Sequence, residues 1–252
     1  MKELSPLHWL VVLILIPVLF FFPFMVPLMG VVLILVASTL RSDQRKRWQD
    51  LVTAIAYIAF IGVGLQMDQA FIRIFPRTLD SELLRADHRL FFDPISFAHA
   101  ISRHNLAMSP LIIGYTFLPA VIGAAWVAEQ DHGARRAVII GGVFCWVFYA
   151  IFPAVGPAHY DWSLGTASQL SPRNCMPSMH LTWAILIAWN ARTLPFRILL
   201  WAYAALTAVA TIAVGEHYLI DLIAAIPYAA VIQLASSLLA SLTQRAQAVE
   251  CE

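Results

Sequence analysis

Charge is what this sequence has least of. Asp, Glu, Lys and Arg make up 12% of its 252 residues, about half the share usual in a soluble domain, while 60% are hydrophobic. A net charge of +1 with no basic stripe argues against a nucleic-acid partner. No glycine-rich phosphate loop occurs, so no nucleotide is expected. Cysteine is scarce too. Cys145, Cys175 and Cys251 are too few and too scattered for a disulfide framework or a zinc site, and each is expected as an unpaired thiol. A cleavable leader is not expected either. The first apolar run passes through FFPFMVP into a second without a small-residue cleavage site.

What fills the chain instead is a series of long apolar runs, which makes it a polytopic membrane protein. Expected spans are residues 7–22, 24–40, 51–67, 106–128, 137–153, 178–192, 196–214 and 217–241. Inside a bilayer the backbone must satisfy its own hydrogen bonds, so the expected fold is an all-α bundle of about eight transmembrane helices. Seven is the alternative, if the Pro23–Pro27 region is a kink rather than a turn. Residues 68–105 are too polar to span and are expected as one or two short helices in the interface. No repeat, linker or soluble domain interrupts the chain, so residues 1–252 read as one integral membrane domain.

Basic residues collect in alternate loops: Arg41, Arg45, Lys46 and Arg47, then Arg135 and Arg136, then Arg192 and Arg197. The positive-inside rule puts these on the cytoplasmic side of a cell membrane. Residues 68–105, 154–177 and 214–217 then face the other, extracytoplasmic side.

Two stretches open apolar runs with a histidine on that side: PSMHLTWAILIAW (177–189) and GEHYLIDLIAAIPYAAVIQLA (215–235). In the second, His217 and Asp221 have i,i+4 spacing, which puts both on one helical face. A carboxylate there can accept the imidazole N–H and fix its tautomer. An unpaired Asp221 inside a span would be expensive, so His217 is its expected partner. The alternative is a structural pair without chemistry. In the first stretch, Pro177 suits the first turn of a helix. The open N–H groups of Ser178, Met179 and their neighbours would then offer an anion site, most naturally for phosphate. Two histidines at one depth could divide the work, one attacking phosphorus and the other protonating the departing oxygen.

PSMH and GEHYLID resemble the second and third motifs of the type 2 phosphatidic acid phosphatase superfamily, whose usual forms are Pro-Ser-Gly-His and His-x-x-x-Asp. The resemblance covers roughly residues 140–235, and YAIFPAVGPAHYD (149–161) is similar to a divergent branch. That branch contains the inositol-phosphorylceramide and sphingomyelin synthases and related bacterial lipid phosphatases. The resemblance implies that His217 is a nucleophile forming a phosphohistidine and that Asp221 orients it. It also implies that His180 is the general acid and that Ser178 with adjacent amides holds phosphate oxygens. The catalytic core would then be about 106–241.

Some family features are absent. The Lys-containing first motif is not recognisable, Thr211 stands where the third motif normally has Arg, and Met179 replaces glycine. Another cation must therefore balance the phosphate. Arg173 is the first candidate and Arg103 the second, with His159 and Tyr160 on the head-group side. Interfacial Arg and Tyr also commonly anchor to lipid head groups.

The expected function is a lipid phosphate phosphatase at the extracytoplasmic face. Its partner would be a membrane lipid with a phosphate or phosphodiester head group. The alternatives are a phosphotransferase passing the head group to an alcohol acceptor, and a transporter with a His/Asp proton relay. No cofactor is needed. A metal held by His180, His217 and Asp221 is disfavoured, because an i,i+4 aspartate suits a supporting role for the histidine better than ligation.

Overall fold

The computed structural model describes residues 44–128, 133–168 and 171–249, with Val31, Ile34, Leu35 and Ser38 as isolated positions. The expected spans 7–22 and 24–40 lie outside the continuous described stretches. Among the described residues there are nine α-helices: α1 (Gln44–Ile74), α2 (Asp80–Arg89), α3 (Pro94–Ser102), α4 (Asn105–Thr116), α5 (Leu118–Ala128), α6 (Gly133–Ile151), α7 (Met179–Asn190), α8 (Leu194–Ala213) and α9 (Leu219–Val249). A 3-10 turn at Pro157–His159 leads into a two-stranded antiparallel hairpin, β1 (Tyr160–Asp161) with β2 (Thr166–Ala167).

Four of these helices contain a stretch long and apolar enough to cross a membrane, at Trp48–Ile74, Gly133–Ile151, Leu194–Ala213 and Leu219–Arg245; α4 and α5 taken together would make a fifth. Eight spans are therefore not shown. The difference is partly α7. Its 12 residues extend about 18 Å, short of the roughly 30 Å hydrocarbon core, although 178–192 reads as a span. Residues 68–74 finish α1, and α2 and α3 are the two short helices expected across the rest of 68–105.

The chain divides into two compact units, one from Met1–Gly64 and Thr116–Gln130, the other from Leu65–Tyr115 and Asp131–Glu252. In the first, Tyr57 meets Trp126 edge to face at 5.4 Å. The second unit is built around α7, which packs against α6, α8 and α9. Its residues Ala184–Ala188 are all buried. Lipid is as apolar as leucine, so close packing and polar links hold such helices together rather than water exclusion. Gly141 lets Met179, Leu186 and Ile232 approach the α6 backbone. Tyr228 donates to the Gly141 carbonyl at 2.6 Å, and Asn190 bonds Gln233 across α7 and α9 at 2.8 Å. Outward positions remain apolar: Val143, Phe144 and Val147 on α6, Ile198 and Leu199 on α8, and Val231, Leu234 and Leu238 on α9 are exposed. Such faces suit lipid contact.

The C-terminal ends of α6 and α8 and the N-terminal ends of α7 and α9 meet at one end of this unit, where two loops are pressed together. Ala158 N–H donates to the Gly215 carbonyl at 2.9 Å, and Cys175 N–H donates to Ala154 O at 3.2 Å. Gly156 (φ 88°) and Gly215 (φ 78°) are in the left-handed region. A Cβ on Gly156 would collide with the Glu216 carbonyl, and one on Gly215 would lie 2.7 Å from Ala158 Cβ. Glycine is required at both positions by backbone geometry and by space.

Gly156→Ala should destabilise the protein by at least the roughly 1–3 kcal/mol of a strained backbone position. Gly62→Ala, where nothing lies within 4 Å of the added methyl, should be neutral or slightly stabilising in a helix. Thermal unfolding in detergent, followed by tryptophan fluorescence, checks both; equal midpoints for the two variants would refute the close contact of the loops.

Candidate active site

The sequence places His217 and Asp221 one helical turn apart, and the structure brings them together by a different route. Helix α9 starts at Leu219, so His217 precedes the helix and Asp221 is its third residue. The Asp221 side chain turns back to accept the Tyr218 N–H at Oδ2, 2.8 Å away. This is the reciprocal half of a capping box, which satisfies one of the otherwise unpaired amides of the first turn. The same oxygen lies 3.5 Å from His217 Nδ1 and accepts from the Cys175 thiol at 2.8 Å. Cys175 Sγ is also 3.4 Å from His217 Nδ1. Asp221 is fully buried and His217 is 4% exposed. With Nδ1 facing this cluster, Nε2 is the nitrogen on the opposite edge of the imidazole.

His180 belongs to the first turn of α7, and its ring centroid is 5.9 Å from that of His217. On another side it stacks on Tyr115 at 4.3 Å with 24° between the planes. Pro177 lies ahead of the helix rather than in its first turn; Ser178 is the N-cap, its hydroxyl accepting from Leu181 N–H. The Ser178 amide is not open to an anion, because it donates to the Asp221 carbonyl at 3.2 Å. That bond ties the starts of the two histidine-bearing helices together. Met179 and His180 are left as the open amides of this turn.

The remaining expected residues are less close together. His159, at the end of the 3-10 turn, pairs through Nε2 with Glu216 Oε1 at 3.0 Å. Tyr160 starts β1 with its ring tilted against Trp162 at 4.6 Å. Arg173 is fully buried. Its Nε donates to Phe75 O, and Nη1 donates to Ser168 O and Ser171 O, which holds the loop before α7 to the end of α1. Its Nη2 is buried with no partner among the described residues. Arg103 caps the C-terminus of α3 and is exposed. Thr211 supplies a carbonyl to the Glu216 amide at 3.1 Å, so it supports the turn from behind.

Sequence reasoning passed over Cys175, Glu216 and Tyr115. A lone cysteine and an aromatic in an apolar helix carry no signal of their own. Glu216, an acid adjacent to His217 and followed five residues later by Asp221, was visible in GEHYLID. Among the described residues Cys175, His217 and Asp221 also have ligand atoms within 4.8 Å of one another, close enough to share a metal ion. The 2.8 Å thiol–carboxylate contact is the geometry of a hydrogen bond, with the proton retained on sulfur.

The His159–Glu216 pair makes the rim of the site pH-sensitive. The hydrogen bond to Glu216 raises His159 above its ordinary 6.5. Burial opposes ionisation of Glu216, but the hydrogen bond from His159 and the charge of His159 help outweigh it, and its pKa falls below 4.5. Stabilisation by the raised histidine is lost as pH climbs through its folded pKa, and that by the lowered glutamate as pH falls through its own. The pair should therefore contribute fully between about pH 4.5 and 6.5 and fade on both sides. Both side chains are about one-third exposed, so the effect is small. Unfolding midpoints across pH should show this maximum in wild type and lose it in Glu216→Gln; an unchanged profile would refute the pairing.

No curated protein and no solved structure gives a significant match to the chain. Residues 81–235 match the PAP2 superfamily. The matched region is more than half of the chain and contains Cys175, Ser178, His180, His217 and Asp221, and the match singles out no particular branch. The chain therefore belongs to the PAP2 superfamily, whose members are typically phosphatases or phosphotransferases acting on phosphate esters.

Proposed function

We propose that this protein is a membrane phosphatase for lipid phosphate esters, working through a phosphohistidine on His217. The observation that carries the reading is the pairing of His217 and His180 at 5.9 Å, with the Asp221 carboxylate on the Nδ1 side of His217. In the first step Nε2 of His217 attacks phosphorus and the bond to the lipid oxygen breaks. His180 gives its proton to that oxygen. In the second step His180 takes a proton from water as the water oxygen attacks phosphorus, releasing inorganic phosphate and restoring His217. Asp221 faces the Nδ1–H throughout, leaving the proton on the ring, and stabilises the positive charge that develops there.

Three features support a lipid substrate. A groove of about 320 Å³ beside the Gly215 turn is lined by Ile95, Ala98, Met108, Pro157, Ala158 and Ala213, an apolar wall suited to a hydrocarbon chain. The helices that lead into and out of the site, α6, α8 and α9, are long and apolar enough to cross a membrane. The buried, unpartnered Nη2 of Arg173 fits a role beside an anionic group. Orientation follows from charge. Arg135, Arg136, Arg192 and Arg197 lie at or near the starts of α6 and α8, whereas the histidines sit at the other ends of those helices. The positive-inside rule then puts the site at the extracytoplasmic leaflet.

Radiophosphate-labelled lipids, incubated with purified protein and quenched in alkali, test the mechanism. Wild type should retain alkali-stable label that His217→Ala lacks, and His180→Ala should turn over more slowly by roughly 10²- to 10⁴-fold. Free phosphate formed without an added alcohol identifies a phosphatase, whereas label discharged only by an alcohol identifies a transferase. Undiminished label or turnover in His217→Ala would overturn the mechanism.

A further inference from the structure

Two aspartates on α2, which the mechanism above does not use, hold the catalytic turn. Asp80 and Asp87 are seven residues apart, so they share a face of the helix about two turns, or ~10 Å, from each other. Both are 0% exposed, whereas their neighbours Glu82 and Arg85 form an exposed pair. Asp87 Oδ2 accepts the Leu219 N–H at 2.7 Å and Oδ1 accepts the Ile220 N–H at 2.8 Å. These are the first two amides of α9, at the positive end of its dipole. Asp80 accepts from the Val155 and Gly156 amides at 3.1 and 3.0 Å and from the Tyr218 hydroxyl at 2.9 Å.

Carboxylates thus take three consecutive amides after His217: Tyr218 by Asp221, Leu219 and Ile220 by Asp87. The one that holds both Leu219 and Ile220 comes from a helix more than 130 residues earlier in the chain. This arrangement also closes the α9 N-terminus to phosphate, so an incoming anion must use α7 and side chains instead. Leu83, Ala154, Cys175 and Tyr218 form one buried cluster between the same elements. The two bonds to Asp87 hold the first turn of α9 from outside, while the Asp221 bonds to the Tyr218 and Ser178 amides hold it from within.

We infer that Asp87 is a positioning residue for His217, with Asp80 holding the facing loop and Tyr218 from the same helix. The inference rests on the phosphatase reading only for its effect on turnover; the positioning itself has separate readouts.

The test compares full-length wild type with Asp87→Asn in detergent, using dioctanoyl phosphatidic acid as probe. An amide keeps the size but replaces one acceptor with a donor facing an N–H. Deuterium exchange at Leu219 and Ile220 should rise about tenfold or more, as loss of a charge-assisted hydrogen bond implies, while Ile185–Ala188 of α7 stays protected. kcat should fall roughly 10- to 100-fold, as displacement of a reacting group implies, with KM within about twofold because substrate contacts are untouched. Faster exchange with unchanged kcat overturns the inference, and so does unchanged exchange.

If wild type does not hydrolyse the probe, the phosphatase reading fails for that lipid class. The rate of His217 modification by diethyl pyrocarbonate then decides: a severalfold change supports positioning, and equal rates in the two proteins refute it. If Asp87→Asn does not fold, Asp87→Glu, which keeps the charge but moves the carboxylate off the Leu219 and Ile220 amides, is judged by the same exchange and modification rates.

Discussion

One oxygen atom, Oδ2 of Asp221, is the point on which the site depends. It accepts the Tyr218 amide, the Cys175 thiol and, at longer range, the Nδ1 side of His217. A carboxylate this deeply buried persists only if its partners are in place. Each of those partners belongs to a different piece of the site: the start of α9, the loop before α7, and the His217 ring. Because the Asp221 carbonyl also receives the Ser178 amide, the same residue fixes the origin of the helix that carries His180. The two histidines are thus referred to a common residue, and Asp87 holds the same turn from a helix distant in sequence.

Around that point the loops are closed by contacts that tolerate little change. Gly156 lies against the Glu216 carbonyl and Gly215 against Ala158. Asp80 binds the loop bearing Gly156, and the Leu79 amide on the same segment donates to Pro153 O at 2.8 Å. Arg173 adds a second brace through three backbone carbonyls. The Asp80–Gly156 and Arg173–Phe75 bonds join elements far apart in sequence and involve a charged group, the kind whose removal is most costly. The scaffold is rigid where chemistry needs precision, and the helices behind it are held mainly by small-residue packing and a few polar links.

Much of this was legible in the chain. The histidines and Asp221 stood out because ionisable groups beside an apolar run require a reason, and Ser178 because it opens the first of those runs in PSMH. The pairing of His217 with Asp221 followed from spacing, although the helix begins after His217 and a cap, not a shared helical face, brings them together. The short α7 was hidden because hydropathy registers composition and not the point at which Ser178 caps a helix. Asp80 and Asp87 were invisible for a different reason. In DSELLRADHR they look like the solvated face of a polar helix, and only the tertiary fold distinguishes them from Glu82 and Arg85. Arg173 was noticed for its charge, but its carbonyl partners on Phe75, Ser168 and Ser171 could not be read from sequence.

Helix α9 is both one of the two longest candidate spans among the described residues and the element whose first turn bears Asp221. Its membrane-compatible stretch, Leu219–Arg245, has 27 residues and extends about 40 Å, against a hydrocarbon core of roughly 30 Å. Such a rod must tilt, kink at its internal Pro227 or thicken the bilayer around it. Whichever it does also sets how far the first turn of α9 stands from the head-group plane. The depth of the turn that carries Asp221 is therefore coupled to the thickness of the membrane around the helix.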